Sequence, residues 1–336
     1  MRNLITDVEG VLVGAAQNER LASGVSVVVF GEPAVASIAV HGGAPGLRDG
    51  ALLEPEMTVP SVDAIVLSGG SAFGLDAPGG VQARLLETGR GYRIGSVRVP
   101  IVPGAILFDL GNGGDKNWDH RSPYWNLGYE AAVNAGEVFA LGTAGVGYGL
   151  TTYDLKGGLG STSAVTSNGF VVGALVGVNA VGRATRGSRP HFWAAPFERE
   201  REFGGLGQGD QPTAEDLEMK IKGNAPANST IGVVATDAAL TKSQMKRIAI
   251  MAQDGYALSL RPAHGPMDGD IVFAATTGRA RRSPDLADIT EIGMLSAECL
   301  ARAIARGVYM ATSLENSVAP RCWREVHGMP GAKIAR

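Results

Sequence analysis

The stretch NAPANSTIGVVATDAAL, Asn224–Leu240, passes from a polar, proline-containing segment straight into a β-branched run, with Asn228 and Ser229 at the boundary. Ser229–Thr236 carries apolar residues without strict alternation, which is the pattern of a strand covered on both faces. Five similar runs lie outward from it, at Gly24–Phe30, Ala34–Val40, Val62–Ser68, Gly169–Asn179 and Asp270–Thr277. Helical patterns interleave with them. Thr241 and Gln244 form a capping box ahead of Met245, Ile248, Ala249 and Ala252. A long helix is expected over about 288–310, with Ile289, Ile292, Leu295, Cys299, Ala303 and Ile304 on one side. The polar region Glu198–Asn228 reads as a surface connection, because the runs on either side of it are equally apolar. A single domain over 1–336 follows, of α/β (α+β) class.

Composition narrows the function. The 336 residues include 48 glycines, 45% hydrophobic residues and a net charge of -3, so no broad basic footprint points to nucleic acid or an anionic membrane. The start, MRNLITDVEGVLVG, lacks the pattern of a secretory signal, and the expected location is the cytoplasm. No run is long enough, without glycine or charge, to span a membrane. Cys299 and Cys322 have no metal or redox spacing and read as plain thiols. No cofactor is expected.

Several motifs compete for attention. VDAIVLSGGSAFGLDA has the strand, glycine-turn, helix order of a phosphate site, but Gly69, Gly70 and Gly74 do not make GxGxxG, and tight backbone packing is the plainer reading. In YDLKGGLGSTS, Lys156 before Gly157 and Gly158 reads first as a turn with an exposed amine, and second as a partly desolvated donor to developing negative charge. Asp268 and Asp270, two apart, put both carboxylates on one side of an extended chain. A surface turn is the bland reading, and a pair that orients an amine is the functional one. His41, His120, His191, His264 and His327 are scattered and build no Ser/His/Asp or HExxH pattern.

Ser229 would therefore need a base other than histidine. Cutting the chain on its N-terminal side supplies one, since the freed α-amine, with a reference pKa of about 8, can take the proton of its own hydroxyl. Such chemistry requires Ser, Thr or Cys at a strand start, preceded by a segment able to move away. Asn224–Ser229 has that form.

The chain also resembles the self-processing L-aminopeptidase/D-esterase family, which includes β-peptidyl aminopeptidases and nylon-oligomer hydrolases. The resemblance runs through LITDVEGVLVG, GGAPGLRD, VDAIVLSGGSAFGLDA, VPIVPGAILFDL, KGGLGSTS, GALVGVNAVG, NSTIGVVATDA and RPAHGPMDGDIVFA, in order. It implies a four-layer αββα sandwich of the N-terminal-nucleophile-hydrolase kind. It implies cleavage between Asn228 and Ser229, giving an α chain 1–228 and a β chain 229–336 that stay associated, and a homo-oligomer of such pairs. By the same resemblance Ser229 is the nucleophile, Asn179 and Tyr153 hold the oxyanion, Lys156 lies near the nucleophile, and Asp268 and Asp270 bond its amine. The implied substrate is a short peptide, amide or ester that loses its N-terminal residue. Two departures stand out: Pro78 and Gly79 shorten the expected helix start, and the segment FDLGNGGDKNWDH does not align with the family's segment that holds an acidic residue for the substrate ammonium, a role expected of Asp115 or Asp119.

Three alternatives remain on sequence grounds: a 6-aminohexanoate-oligomer hydrolase of the same family, an ornithine acetyltransferase-like acyl transferase, and a non-enzymatic nucleotide-binding protein centred on Gly69–Gly74.

Overall fold

The computed structural model describes residues 1–223, 228–315 and 318–328. Residues 224–227 of the segment expected to swing away lie outside the described residues.

In chain order the strands are β1 (Val11–Asn18), β2 (Ser23–Val40), β3 (Leu47–Arg48), β4 (Val62–Ser68), β5 (Tyr92–Ile94), β6 (Val97–Val99), β7 (Gly104–Ile106), β8 (Leu159–Val165), β9 (Val171–Asn179), β10 (Ser229–Thr236) and β11 (Ile271–Thr276). The helices are α1 (Ala77–Glu87), α2 (Tyr124–Val133), α3 (Ala214–Leu217), α4 (Lys242–Ala252), α5 (Asp254–Ala257), α6 (Leu286–Met310) and α7 (Trp323–Val326). The strand path runs β3-β7-β4-β2-β11-β10-β9-β8, with β1 on β2, and β5 and β6 form a separate exposed hairpin.

The two runs expected as separate strands at 24–30 and 34–40 are one strand, β2. Its first half pairs with β1 and β4 and its second half with β11, and the register shifts between Val29 and Ala34. One long strand thus belongs to two sheets.

Side-chain alternation then builds three apolar layers. On β10, Ile231, Val233 and Ala235 face the layer between the sheets while Val234 faces the layer under α4 and α6. On β4, Ile65 and Leu67 join the middle layer while Ala64 and Val66 pack under α1 and α2. The order is helices, sheet, sheet, helices: the four-layer αββα sandwich. Full burial of each such side chain contributes roughly 2 kcal/mol, and because both faces are apolar no polar alternation survives in the sequence.

Local signals set the helix ends. Thr241 caps α4 by accepting from the Gln244 backbone N–H at 3.3 Å, and Asp285 caps α6 through the Asp288 N–H at 2.9 Å. α6 lies directly on β8 because Gly160 has no side chain, and a Cβ there would stand 1.8 Å from the Ala303 carbonyl oxygen. Pro78 and Gly79 do not shorten α1, which spans 11 residues with the proline in its first turn, where the missing N–H costs no hydrogen bond. Among the described residues no helix is long and apolar enough to cross a membrane.

Candidate active site

β10 runs down the centre of its sheet between β9 and β11. Its antiparallel register with β9 sets Ser229 opposite Asn179, and Asn228 bridges in parallel to Asp268 just before β11. Three chain segments distant in sequence therefore converge on the Asn228–Ser229 peptide.

The Asn228 carbonyl oxygen accepts two hydrogen bonds, from the Gly269 backbone N–H at 2.9 Å and from Ser229 Oγ at 2.5 Å. Ser229 is itself buried. Space is tight: a Cβ on Gly269 would fall 2.4 Å from Ser229 Oγ and 2.9 Å from the Ala44 carbonyl oxygen. The Gly269 N–H thus polarises a carbonyl whose oxygen the Ser229 hydroxyl also contacts.

Asp268 and Asp270 are 2% and 0% exposed, so the surface turn is excluded. Asp270 Oδ1 accepts the Thr230 N–H at 2.9 Å, and Oδ2 accepts the His264 backbone N–H and faces its Nδ1, both at 2.9 Å. Burial, then the Asp270 charge and a hydrogen bond with Asp270, push Asp268 up to about 8. Its Oδ1 has no hydrogen-bond donor among the described residues.

Asn179 is held from both ends. Its Oδ1 accepts from the Thr151 N–H at 3.1 Å and from Lys222 Nζ at 3.2 Å, while Nδ2 donates to the Phe108 carbonyl at 2.9 Å. Among the described residues the second N–H of that amide has no acceptor. Beside it opens a cleft of about 250 Å³, lined by Phe108, Asp109, Thr151, Tyr153, Asn179 and Lys222 among others. The Arg183 guanidinium lies 4.8 Å over the Tyr153 ring and pairs with Asp154 at 2.8 Å.

Lys156 is not an exposed turn amine. It is 0% exposed, and Nζ donates to the carbonyls of Gly147 and Leu150 at 2.9 Å and of Gly157 at 3.0 Å. Burial draws its pKa down to about 7 while the Asp109 charge opposes that shift. Three carbonyl acceptors take three protons, so the amine is held as a cation that ties this loop together.

Lys222 is the lysine that sequence reasoning missed. It lies in the segment read as a surface connection, yet its Nζ bonds the Thr151 carbonyl at 2.8 Å as well as Asn179. Burial lowers its pKa to about 7, against the pull of Asp268. No local pattern marks it, because only the folded path of 217–223 brings it to β9. Asp115 and Asp119 are also placed differently from expectation: Asp115 pairs with Arg20 at 2.8 Å and Asp119 is exposed. The carboxylate on the cleft is Asp109, whose pKa burial raises. Its Oδ1 accepts the Gly70 N–H at 2.8 Å and its Oδ2 the Ser23 hydroxyl at 2.5 Å. A carboxylate thus meets the glycine turn where a bound phosphate would need that amide. The turn is the tight backbone packing expected, since a Cβ on Gly69 would stand 2.3 Å from Asp109 Oδ2.

A two-sheet sandwich flanked by helices on both outer faces is the fold of the N-terminal-nucleophile hydrolases, and here a hydroxyl residue heads a central strand against a carbonyl. Residues 3–319 match the family model for peptidase family S58, and the chain belongs to that family. It is a hydrolase of peptide or amide bonds. It is 41% identical over 335 residues to an uncharacterized aminopeptidase of Mycobacterium tuberculosis, covering 92% of this chain and 94% of that one. It is 28% identical over 282 residues to a 6-aminohexanoate-oligomer endohydrolase of Paenarthrobacter ureafaciens, covering 81% and 74%. Two solved structures share the fold: a Burkholderia sp. beta-aminopeptidase (TM-score 0.70, 22% identity, 97% of this chain and 92% of that one) and an L-aminopeptidase D-Ala-esterase/amidase from Ochrobactrum anthropi (TM-score 0.66, 19% identity, 96% and 90%).

Proposed function

We propose that this chain is a self-cleaving serine aminopeptidase that releases N-terminal residues from short peptides, amides or esters. The observation that carries the reading is the Asn228 carbonyl, held by the Gly269 N–H and pressed by Ser229 Oγ at 2.5 Å. Ser229 Oγ attacks that carbonyl carbon, the C–N bond breaks as the ester forms, and water releases the Asn228 carboxylate. Chains 1–228 and 229–336 result, and the β9–β10 and β2–β11 ladders between them keep them together.

In turnover the new Ser229 amine is the general base for its own hydroxyl, and Asp268 and Asp270 orient it. The free N–H of Asn179, with Tyr153 across the cleft, stabilises the oxyanion. The amine then protonates the leaving group and water clears the acyl-enzyme. Lys156 supports this from beneath by fixing the loop that carries Thr151 and Tyr153. The reading includes a cytoplasmic homo-oligomer of processed pairs, tested by cell fractionation and size-exclusion chromatography.

Denaturing electrophoresis with N-terminal sequencing tests the scheme. Two fragments in the wild type, the smaller beginning at Ser229, and one intact chain in Ser229→Ala are expected. An intact wild-type chain that hydrolyses aminoacyl anilides overturns it. The 28%-identical nylon-oligomer relative supports a second reading within the family, 6-aminohexanoate-oligomer hydrolysis, which a panel of anilides, β-peptides and 6-aminohexanoate oligomers separates from the first.

A further inference from the structure

Resting on the self-cleavage reading, the two carboxylates beside Ser229 are not equivalent. Asp270 takes N–H groups on both oxygens: Thr230 on Oδ1, and the His264 backbone on Oδ2, where Nδ1 of the same histidine also arrives at 2.9 Å. An oxygen that accepts a main-chain N–H is an acceptor, and the imidazole nitrogen facing it then carries the hydrogen. Asp268 has only the Gly269 backbone N–H near its carboxylate, and no donor on Oδ1 among the described residues. A proton shared by the pair therefore belongs on Asp268.

His264 is built for this task. It adopts φ +58°, a left-handed conformation that a non-glycine residue rarely takes, and so aims backbone N–H and ring at one oxygen. Its ring stands edge-on between His41, 5.3 Å away at the end of β2, and Tyr256 of α5, 5.4 Å away. The other ionisable groups near it are few. Burial and the neighbouring His264 lower the His41 pKa, with Asp254, Asp270 and Lys246 also acting on it. Burial keeps Tyr256 neutral, and its hydroxyl, 3.0 Å from the Thr230 carbonyl oxygen and 2.9 Å from that of Ile271, shares its one hydrogen between them. Lys222 acts on Asp268 from the opposite side.

We propose that His264 is a positioning residue for self-cleavage: by bonding Asp270 Oδ2 twice it keeps Asp270 the anionic acceptor and leaves Asp268, beside the Asn228–Ser229 peptide, as the neutral hydrogen-bond donor.

The test is a double-mutant cycle read as the rate at which fragments appear after synthesis, followed by denaturing electrophoresis at pH 7. His264→Ala slows cleavage about tenfold to a hundredfold, the effect of losing one charge-assisted hydrogen bond. His264→Asn, which keeps an N–H on the side chain, restores most of the rate. Asp268→Asn fixes a neutral donor at that position, so the chain is still cut, and adding His264→Ala there slows it by no more than about twofold. Full persistence of the His264→Ala loss in the Asp268→Asn chain overturns the proposal, as does an uncut Asp268→Asn chain. Should His264→Ala not fold, carboxyl carbon-13 NMR of the uncut Ser229→Ala chain decides: the resonance that vanishes in Asp268→Asn has the shift of a neutral acid at pH 7, and a carboxylate shift there is the refuting result. Cleavage that persists in Ser229→Ala removes the self-cleavage reading itself, a failure distinct from either of these.

Discussion

Placing one methyl group at position 269 probes the site more sharply than removing the nucleophile. In Gly269→Ala the new Cβ would stand 2.4 Å from Ser229 Oγ, 3.2 Å from Ser229 Cβ and 2.9 Å from the Ala44 carbonyl oxygen. A carbon–oxygen contact settles near 3.5 Å, so about 1 Å of movement must be found. The Ala44 side of the gap is backbone, tied to the Asp268 carbonyl through its N–H at 2.8 Å. Ser229 Oγ is the softer neighbour and turns away, or the 268–270 segment retreats and takes the Gly269 N–H off the Asn228 carbonyl. Either response spoils the attack geometry. Loss of one such donor costs roughly 3 to 4 kcal/mol, or about 10² to 10³ in rate. Local overpacking lowers stability by only about 1–3 kcal/mol. The expected outcome is a folded, uncut chain: a single band on denaturing electrophoresis where the wild type gives two, with a cooperative urea transition retained. Cleavage of Gly269→Ala at a rate within a fewfold of wild type would refute the assignment of this N–H and of the space around Oγ.

Two further outcomes follow from the buried charges. Lys156→Met strands the carbonyls of Gly147 and Gly157, while that of Leu150 keeps the Gly157 N–H at 2.9 Å, and equilibrium urea unfolding is expected to record a loss of about 2–5 kcal/mol, roughly 1–3 for each stranded acceptor. Asp268, held near 8 in the folded chain against 3.8 for an ordinary aspartate, binds more protons folded than unfolded between those values. Its contribution to stability is therefore present at low pH and is lost as pH rises through about 8. Urea midpoints of the uncut Ser229→Ala chain measured from pH 4 to 8 should decline less once Asp268→Asn is added, and an unchanged decline counts against a proton on Asp268.

How much of this was legible in the sequence depends on the range of the interaction. β4 and β10 begin and end where the apolar runs do, and the Thr241 and Gln244 box starts α4 as read, because strand burial and helix capping are encoded within a few residues. β2 escaped because Gly31, Glu32 and Pro33 look like a turn between two strands, whereas the pairing partners on either side carry the chain straight through as one. β1 and β8 were not anticipated: AAQN and GSTS are too small and polar to read as buried, and only the packing of Gly14 against α2 and of Gly160 against α6 shows why small residues are needed there.

The sequence by itself determined the covered strands, the capped helices and the position of a hydroxyl residue at the head of a strand, all of which rest on neighbours along the chain. Only the tertiary structure decided what surrounds that hydroxyl. Asn179 reaches Ser229 through β-sheet register, and Lys222 reaches Asn179 from a segment that reads as solvent-exposed. His264 was one of five scattered histidines until the 264–270 loop folded it onto Asp270. Lys156 looked like a surface amine until three carbonyls closed on it. Burial and hydrogen bonding, which set the charge each group carries, are properties of the packed chain, and no spacing along the sequence encodes them.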